Sequence, residues 1–388
     1  MTTTIGAGMG DIRDILAIDD DWKISVTESR RNAFDASEVL LWGCPVEVRQ
    51  GVCLFLTDHT ELICRQAQIA AGRATVESEL WGQVVVPMQH VAGIVLASAA
   101  SIEQRETWWR QLTDHATIDD VVMLQNGDLI EGLVTKIATD HVELLEGERR
   151  VRLDLASVIG VLWHREAPAV ATEQCRGLVG LRNGDVIHAA SLHMDESELR
   201  VLTTAGLKFE TSLENIASHP LAFLQPCRRE WVFLSDLSVA SARHIPFLED
   251  QWPTVLDQNL EHHSLRANGY RYFKGISVHS ASRLIYDVPP DARQFAAEIA
   301  IDDSSDGLGS VVFRVLLQGA DDQWREAVAS SVVRGHRNPQ AIVVELDKTK
   351  RLALVVDPAD WGDQGDHADW LNARFRRLIL SPLAPPAD

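Results

Sequence analysis

The sequence predicts a mainly β protein in which small antiparallel β-meander units repeat and a β-sandwich follows. Three observations carry that prediction. A pattern of short alternating segments recurs between residues 46 and 225. The pairs Asn126-Gly127 and Asn183-Gly184 punctuate it as hairpin turns do. Alternating strands then reappear after Pro226, separated by turn residues at sandwich intervals.

Composition sets the limits. At 388 residues, and with about 150 residues to a domain, two or three domains are expected. Hydrophobic residues make up 46% and charged residues 24%, enough apolar surface for a real core. Acids outnumber bases 56 to 36, a net charge of −20. That balance argues against nucleic acid as a partner and against docking on anionic lipid. No apolar run approaches the roughly 18 residues that span a bilayer, so no membrane insertion is expected. The start, MTTTIGAGMGDIRDILAIDDDWK, shows no basic n-region and no long apolar h-region, so no signal peptide is visible. The five cysteines, Cys44, Cys53, Cys64, Cys175 and Cys227, are odd in number and scattered. They read as small buried apolar residues rather than a disulfide framework or a C-x-x-C site.

Residues 1–45 carry weak signals and read as a weakly structured segment. From 46 to 225 three copies of one unit follow, at about 53–96, 121–163 and 178–218. Leu124-Gln-Asn-Gly-Asp-Leu-Ile matches Leu181-Arg-Asn-Gly-Asp-Val-Ile, and Leu155 and Val158 match Leu213 and Ile216. In the first copy Asp58-His59 stands where the others have Asn-Gly. A two-residue type I′ turn needs positive φ at both central positions, which suits Asn-Gly. Segments such as His141-Val-Glu-Leu-Leu and Val151-Arg-Leu-Asp-Leu alternate as half-buried strands do. Each copy thus reads as a meander of four or five strands, and about 45 residues bury too little to stand alone. Between the first two copies, Ser101 and Gln104 form a capping box, and Ile102, Arg105, Trp108, Trp109 and Leu112 share helical spacing. One helix is expected at 101–113, with Trp108-Trp109 as packing anchors. The segment from His164 to Glu173 reads as a loop.

The region 227–382 reads as a second, all-β unit, divided from the first near Pro220, Pro226 and Arg228-Arg229. It holds all three tyrosines, and its strands include 283–288, 295–301, 310–317, 340–346 and 351–356. This region resembles the NPCBM family of carbohydrate-binding modules, through five segments in order. They are Trp231-Val-Phe-Leu-Ser-Asp-Leu, Gly275-Ile-Ser-Val-His-Ser-Ala-Ser-Arg-Leu-Ile-Tyr, Phe295-Ala-Ala-Glu-Ile-Ala-Ile-Asp-Asp, Gly309-Ser-Val-Val-Phe-Arg-Val, and Leu352-Ala-Leu-Val-Val-Asp with Gly365-Asp-His-Ala-Asp-Trp. The resemblance implies a galactose-binding-like jelly-roll sandwich, a glycan ligand and an extracytoplasmic place. Ser277 stands where that family usually has Gly, and Trp361 is an insertion.

Within this region Tyr286, Phe295, Phe313 and Trp370 fall on strands and read as core. Trp252, Tyr270, Tyr272, Trp324 and Trp361 fall in loops or at strand edges. Sugars offer apolar C–H faces that stack on rings and hydroxyls that need polar partners. Trp252, Tyr270, Tyr272, His279 and Trp361 are therefore the candidate ligand residues. The expected site lies at one end of the sandwich, around Trp252, 268–273, His279 and 360–366, because concavity comes from loops. Clustered acids suggest a structural calcium held by Asp302, Asp303, Asp366 and Asp369; zinc at His367 lacks a full ligand set. No G-x-S-x-G, H-E-x-x-H or P-loop is present, so no catalytic residue is expected; the resemblance implies non-catalytic glycan binding, with the repeats as scaffold. The competing reading is a structural or protein-interaction protein whose sandwich has lost sugar binding. Convergence or dispersal of the loop aromatics separates the two. Homo-oligomerisation and association with other proteins stay open.

Overall fold

Nearly every alternating segment forms a strand in the structure, a computed structural model that describes residues 4–5, 15–26, 33–35, 39–115, 117–165, 174–214, 220–227, 230–246, 251–360 and 362–378. The chain divides into two compact units, Met1–Cys227 and Arg228–Asp388. Arg228-Arg229, Ile216 and Trp361, each singled out above, lie outside the described residues, as does much of the 164–173 loop. Among the described residues no helix is long and apolar enough to cross a membrane.

The first unit is built on a sixteen-stranded sheet and a six-stranded sheet, all pairings antiparallel. The Asn-Gly turns sit at corresponding places. Gly127 N–H donates to Leu124 O at 2.9 Å and Gly184 N–H to Leu181 O at 3.0 Å. The glycines have φ of 87° and 94°, in the left-handed region that favours glycine. The asparagines are not among the positive-φ residues, which corrects the type I′ expectation. Each is an ordinary type I turn closed by a left-handed residue, the longer hairpin loop. The first copy keeps this turn without glycine: His59 takes φ 66° and donates its N–H to Leu56 O at 3.1 Å.

The expectation of one meander per copy also needs correction. In the first copy, Val52–Leu56 and Glu61–Cys64 lie in the large sheet, while Gln66–Ala70, Arg73–Ser78 and Gly82–Pro87 lie in the small one. The second copy divides the same way, with Leu133–Ile137, His141–Glu146 and Arg149–Asp154 in the small sheet. The two contributions join where Ile137 pairs with Ile69. The third copy stays in the large sheet, because its Val186–Met194 strand runs on where the others bend at Arg65 and Gly132. The helix spans Ile102–Asp114, with Ser101 Oγ accepting from Gln104 N–H and Gln104 Oε1 accepting from Ala100 N–H at 2.6 Å. Trp109 stacks flat on Phe55 at 3.9 Å between ring centroids. Its ring crosses Gly93 so closely that a Cβ there would sit 2.3 Å away, so glycine makes the helix seat.

The second unit is a sandwich of two six-stranded antiparallel sheets with a two-stranded hairpin. One sheet runs Val255–Leu256, Gly275–His279, His367–Arg377, Ala292–Ile301, Gln340–Glu345, with Trp231–Phe233 also paired to His367–Arg377. The other runs Ser241–His244, Ser282–Asp287, Arg351–Pro358, Ser310–Gln318, Trp324–Ala329. Between them Trp370, Tyr286, Phe295, Phe313 and Phe375 are fully buried. Phe313 meets Trp370 edge-on at 4.9 Å, the favoured geometry for aromatic pairs. Burial removes the Tyr286 hydroxyl from water and pushes its pKa up.

Candidate functional site

At one end of the sandwich, strand ends bring four rings together. His279 ends its strand directly opposite His367, which begins the neighbouring one. His244 ends a strand of the other sheet, beside the corner where the chain crosses from Gly275–His279 to Ser282–Asp287. Trp252 comes from the segment leading into Val255–Leu256. Its ring lies parallel to that of His279, 5.0 Å away with 9° between planes, and 5.4 Å from His367. His279 lies edge-on to His244 and His367, each at 5.9 Å.

Hydrogen bonds fix these rings. His279 Nδ1 pairs with Ser280 O at 2.8 Å. His244 Nε2 reaches the same carbonyl at 3.1 Å, and its Nδ1 accepts from Trp252 N–H at 3.4 Å. His244 therefore carries its proton on Nε2. His367 Nδ1 pairs with Ser304 Oγ at 3.2 Å. Burial lowers the pKa of His367, and the neighbouring His279 adds to it. His279 and His367 are buried, while Trp252 is half-buried. A flat ring with fixed polar atoms beside it is the arrangement that takes a pyranose face and its hydroxyls.

The rim is acidic and firmly tied. Ser280 Oγ donates to Asp366 at 2.5 Å, Ser310 N–H to Asp366 at 2.7 Å, and Ser310 Oγ to Asp360 at 2.9 Å. Burial raises the Asp366 pKa. Asp302 accepts from Asn259 Nδ2, Arg266 N–H and Ser304 N–H, all at 2.9 Å. Asp303 accepts from Asn268 N–H and Gly269 N–H, which holds the hairpin tip beside this end. Burial and then Asp302 push Asp369 well above its ordinary value, and the Ser277 hydroxyl donates to it. The serine that replaces the family's glycine thus has a buried partner.

Of the residues singled out from sequence, Trp252 and His279 are in direct contact, and 268–269, Asp360 and Asp366 border the same end. Tyr272 is elsewhere: it packs with Leu265, Ala267, Ala300 and Leu371, and its hydroxyl reaches Glu298 at 3.3 Å. Tyr270 is exposed on the same hairpin. Trp324 opens the outer strand Trp324–Ala329. Among the described residues the four aspartates proposed for calcium do not form a group of three with cation spacing; Asp302, Asp303 and Asp366 accept from amide and hydroxyl donors, while the buried Asp369 Oδ2 has no hydrogen-bond partner. Among the described residues the one group of three side chains with cation spacing is His193, Asp195 and Glu198, in the other unit. Sequence reasoning did not single out His244, and considered His367 only as a zinc ligand without a full set. Their signal was position: both stand at strand ends next to the corner that carries His279.

The first unit holds a cleft of about 750 Å³ lined by Gln125, Asp140, His141, Arg152 and Asp154 among others. There His141 pairs with Asp140 at 2.5 Å and Glu143 at 2.9 Å, and Arg152 with Asp140 at 2.9 Å.

Residues 230–376 match the family profile described as NPCBM/NEW2 domain. Similarity to curated proteins is confined to part of the chain. It is 34% identical over 121 residues to a Renibacterium salmoninarum protein provisionally named an endo-alpha-N-acetylgalactosaminidase. It is 31% identical over 125 residues to alpha-1,3-galactosidase B of Akkermansia muciniphila. These stretches are 31% and 32% of this chain but only 8% and 15% of those proteins. Among solved structures, the CBM51 module of Clostridium perfringens GH95 in complex with methyl-galactose is 23% identical, with a TM-score of 0.33, covering 37% of this chain and 99% of that one. The CBM51-2 and INT domains of Clostridium perfringens ZmpB, in complex with GlcNAc, are 24% identical with a TM-score of 0.34, covering 52% and 38%.

Proposed function

We propose that this chain binds a glycan, without cleaving it, at the end of the sandwich formed by Trp252, His279 and His367. The observation that carries the reading is the parallel stack of half-buried Trp252 on buried His279. The stack holds the indole in place before a ligand arrives, so little ordering entropy is lost on binding. The sugar's apolar face covers the indole, and its hydroxyls meet the imidazoles and the Asp360–Asp366 rim. The repeats serve as the scaffold that carries the module. The relatives named as glycosidases share only the region of this module, so their names supply no catalytic residue here.

The dispersal of Tyr272 onto the sheet favours the second reading, an interaction protein without a sugar ligand, and the same experiment decides between them. A glycan array probed with the full chain should give at least one ligand, with binding lost in both Trp252→Ala and His279→Ala by calorimetry. If both variants bind that ligand like the parent at an unchanged melting temperature, the site lies elsewhere. If no glycan binds at all, the second reading stands.

A further inference from the structure

Two thiols meet in the first unit although their spacing in the sequence shows no pairing. Cys175 precedes the strand Gly177–Leu181, and Cys227 follows Leu221–Pro226. These strands are neighbours with Gly177 opposite Pro226, and Cys227 N–H donates to Arg176 O at 2.8 Å. The register thus carries two cysteines 52 positions apart to one end of the sheet, with 3.6 Å between their sulfurs. Cys227 is exposed and Cys175 partly so, which lets a small reagent reach them. Cys53 and Cys64 are buried instead. Burial, and then Asp185, push the Cys64 thiol up out of the reactive range.

We propose that Cys175 and Cys227 form a redox-reactive pair that closes to a disulfide by exchange with a low-molecular-weight disulfide such as oxidised glutathione. Going from 3.6 Å to a bond of about 2.05 Å is a side-chain movement. In the first step the Cys175 thiolate attacks one sulfur of the reagent, the reagent S–S bond breaks, and the departing thiolate takes a proton from water. In the second, Cys227 loses its proton to solvent and attacks the Cys175 sulfur of the mixed disulfide, which expels the other reagent thiolate. Two protein thiols are oxidised and one reagent disulfide is reduced to two thiols. The order of attack follows from the surroundings. The hydrogen bond from Cys227 outweighs the upward push of burial, His188 adds to it, and the Cys175 thiol comes down to about 5. A thiolate at neutral pH is the nucleophile.

The test uses the full chain with oxidised glutathione. Thiol titration after denaturation should fall from five to three, and peptide mapping without reduction should link the peptides holding Cys175 and Cys227. The melting temperature should rise by roughly 5–10 °C, reversibly with dithiothreitol, because a long loop is closed in the unfolded chain. Cys227→Ser should stop at a stable glutathione adduct on Cys175. Five titratable thiols after oxidation, or a link that uses Cys44, Cys53 or Cys64, would overturn the pair. An adduct on any cysteine other than Cys175 in the Cys227→Ser chain would overturn the assigned nucleophile.

Discussion

The two Asn-Gly-Asp turns share their sequence, their hydrogen bonds and the sign of their glycine φ, but not their surroundings. At the first, nothing lies within 4 Å of a Cβ built on Gly127, and Asp128 is exposed. At the second, a Cβ on Gly184 would meet the Val48 side chain at 2.7 Å, and Asp185 is 1% exposed. Asp185 accepts from Ile63 N–H at 2.7 Å and Trp81 Nε1–H at 2.8 Å. It clamps the third copy onto the first. A local motif sets a turn's shape, while its contribution to stability is set by what packs on it.

The largest expected break in this comparison is Asp185→Ala. It strands two buried donors, and should lower stability by about 3–4 kcal/mol, against under about 0.5 kcal/mol for Asp128→Ala. Urea unfolding of the two variants checks this; equal losses would mean that the clamp carries nothing. Next come the glycines. Gly184→Val adds a clash with Val48 to the strain of a positive φ and should cost about 2–3 kcal/mol. Gly127→Val should cost about 1–2 kcal/mol from backbone strain alone. The same unfolding curves report both.

A pH series sharpens the contrast. Burial pushes Asp185 up to about 6, above the ordinary value of about 3.9 that it has when unfolded. The folded state then holds the proton more tightly. Its contribution is complete below about pH 4 and is lost as pH rises through about 6, about 3 kcal/mol in all. Stability measured at pH 4.5 and 7.5 should show this fall in the parent and in Asp128→Ala, and a flatter profile in Asp185→Asn. The smallest effect is at the turn without glycine. His59→Gly relieves a positive φ but frees the unfolded chain and loses the approach to His188 at 5.8 Å. A net change within about 1 kcal/mol is expected from the melting temperature; a larger loss would show that the ring, not the backbone, holds that turn.

Much of this was legible because it is local. The Ser101 and Gln104 pair marks the helix start to within a residue, since both lie within one turn. Alternation marks 310–317 and 351–356 as strands because a sandwich buries one face of each. The division of each early repeat between two sheets was not legible. Nothing in the alternation of 129–137 announces that the chain changes sheets at Gly132. The candidate site shows the same limit. Trp252 and His279 could be singled out by type, but their contact depends on a strand pairing between Val255 and Ser277. His244 joins them through the sheet corner at Ser280 and the Trp252 N–H, relations with no fixed spacing in sequence. Cys175 and Cys227 meet for the same kind of reason.

The strand His367–Arg377 has a consequence for synthesis on the ribosome. It is the last described strand of the chain, yet it pairs with Trp231–Phe233, Gly275–His279 and Ala292–Ile301. The sheet therefore has a gap in its middle until residues 367–377 emerge, although domains tend to fold in order of emergence. Throughout that wait two apolar strands offer unpaired edges, the surface on which chains aggregate. A message truncated before codon 367 should accordingly yield insoluble protein rather than a smaller working module, and slow decoding of codons 367–377 would lengthen the exposure.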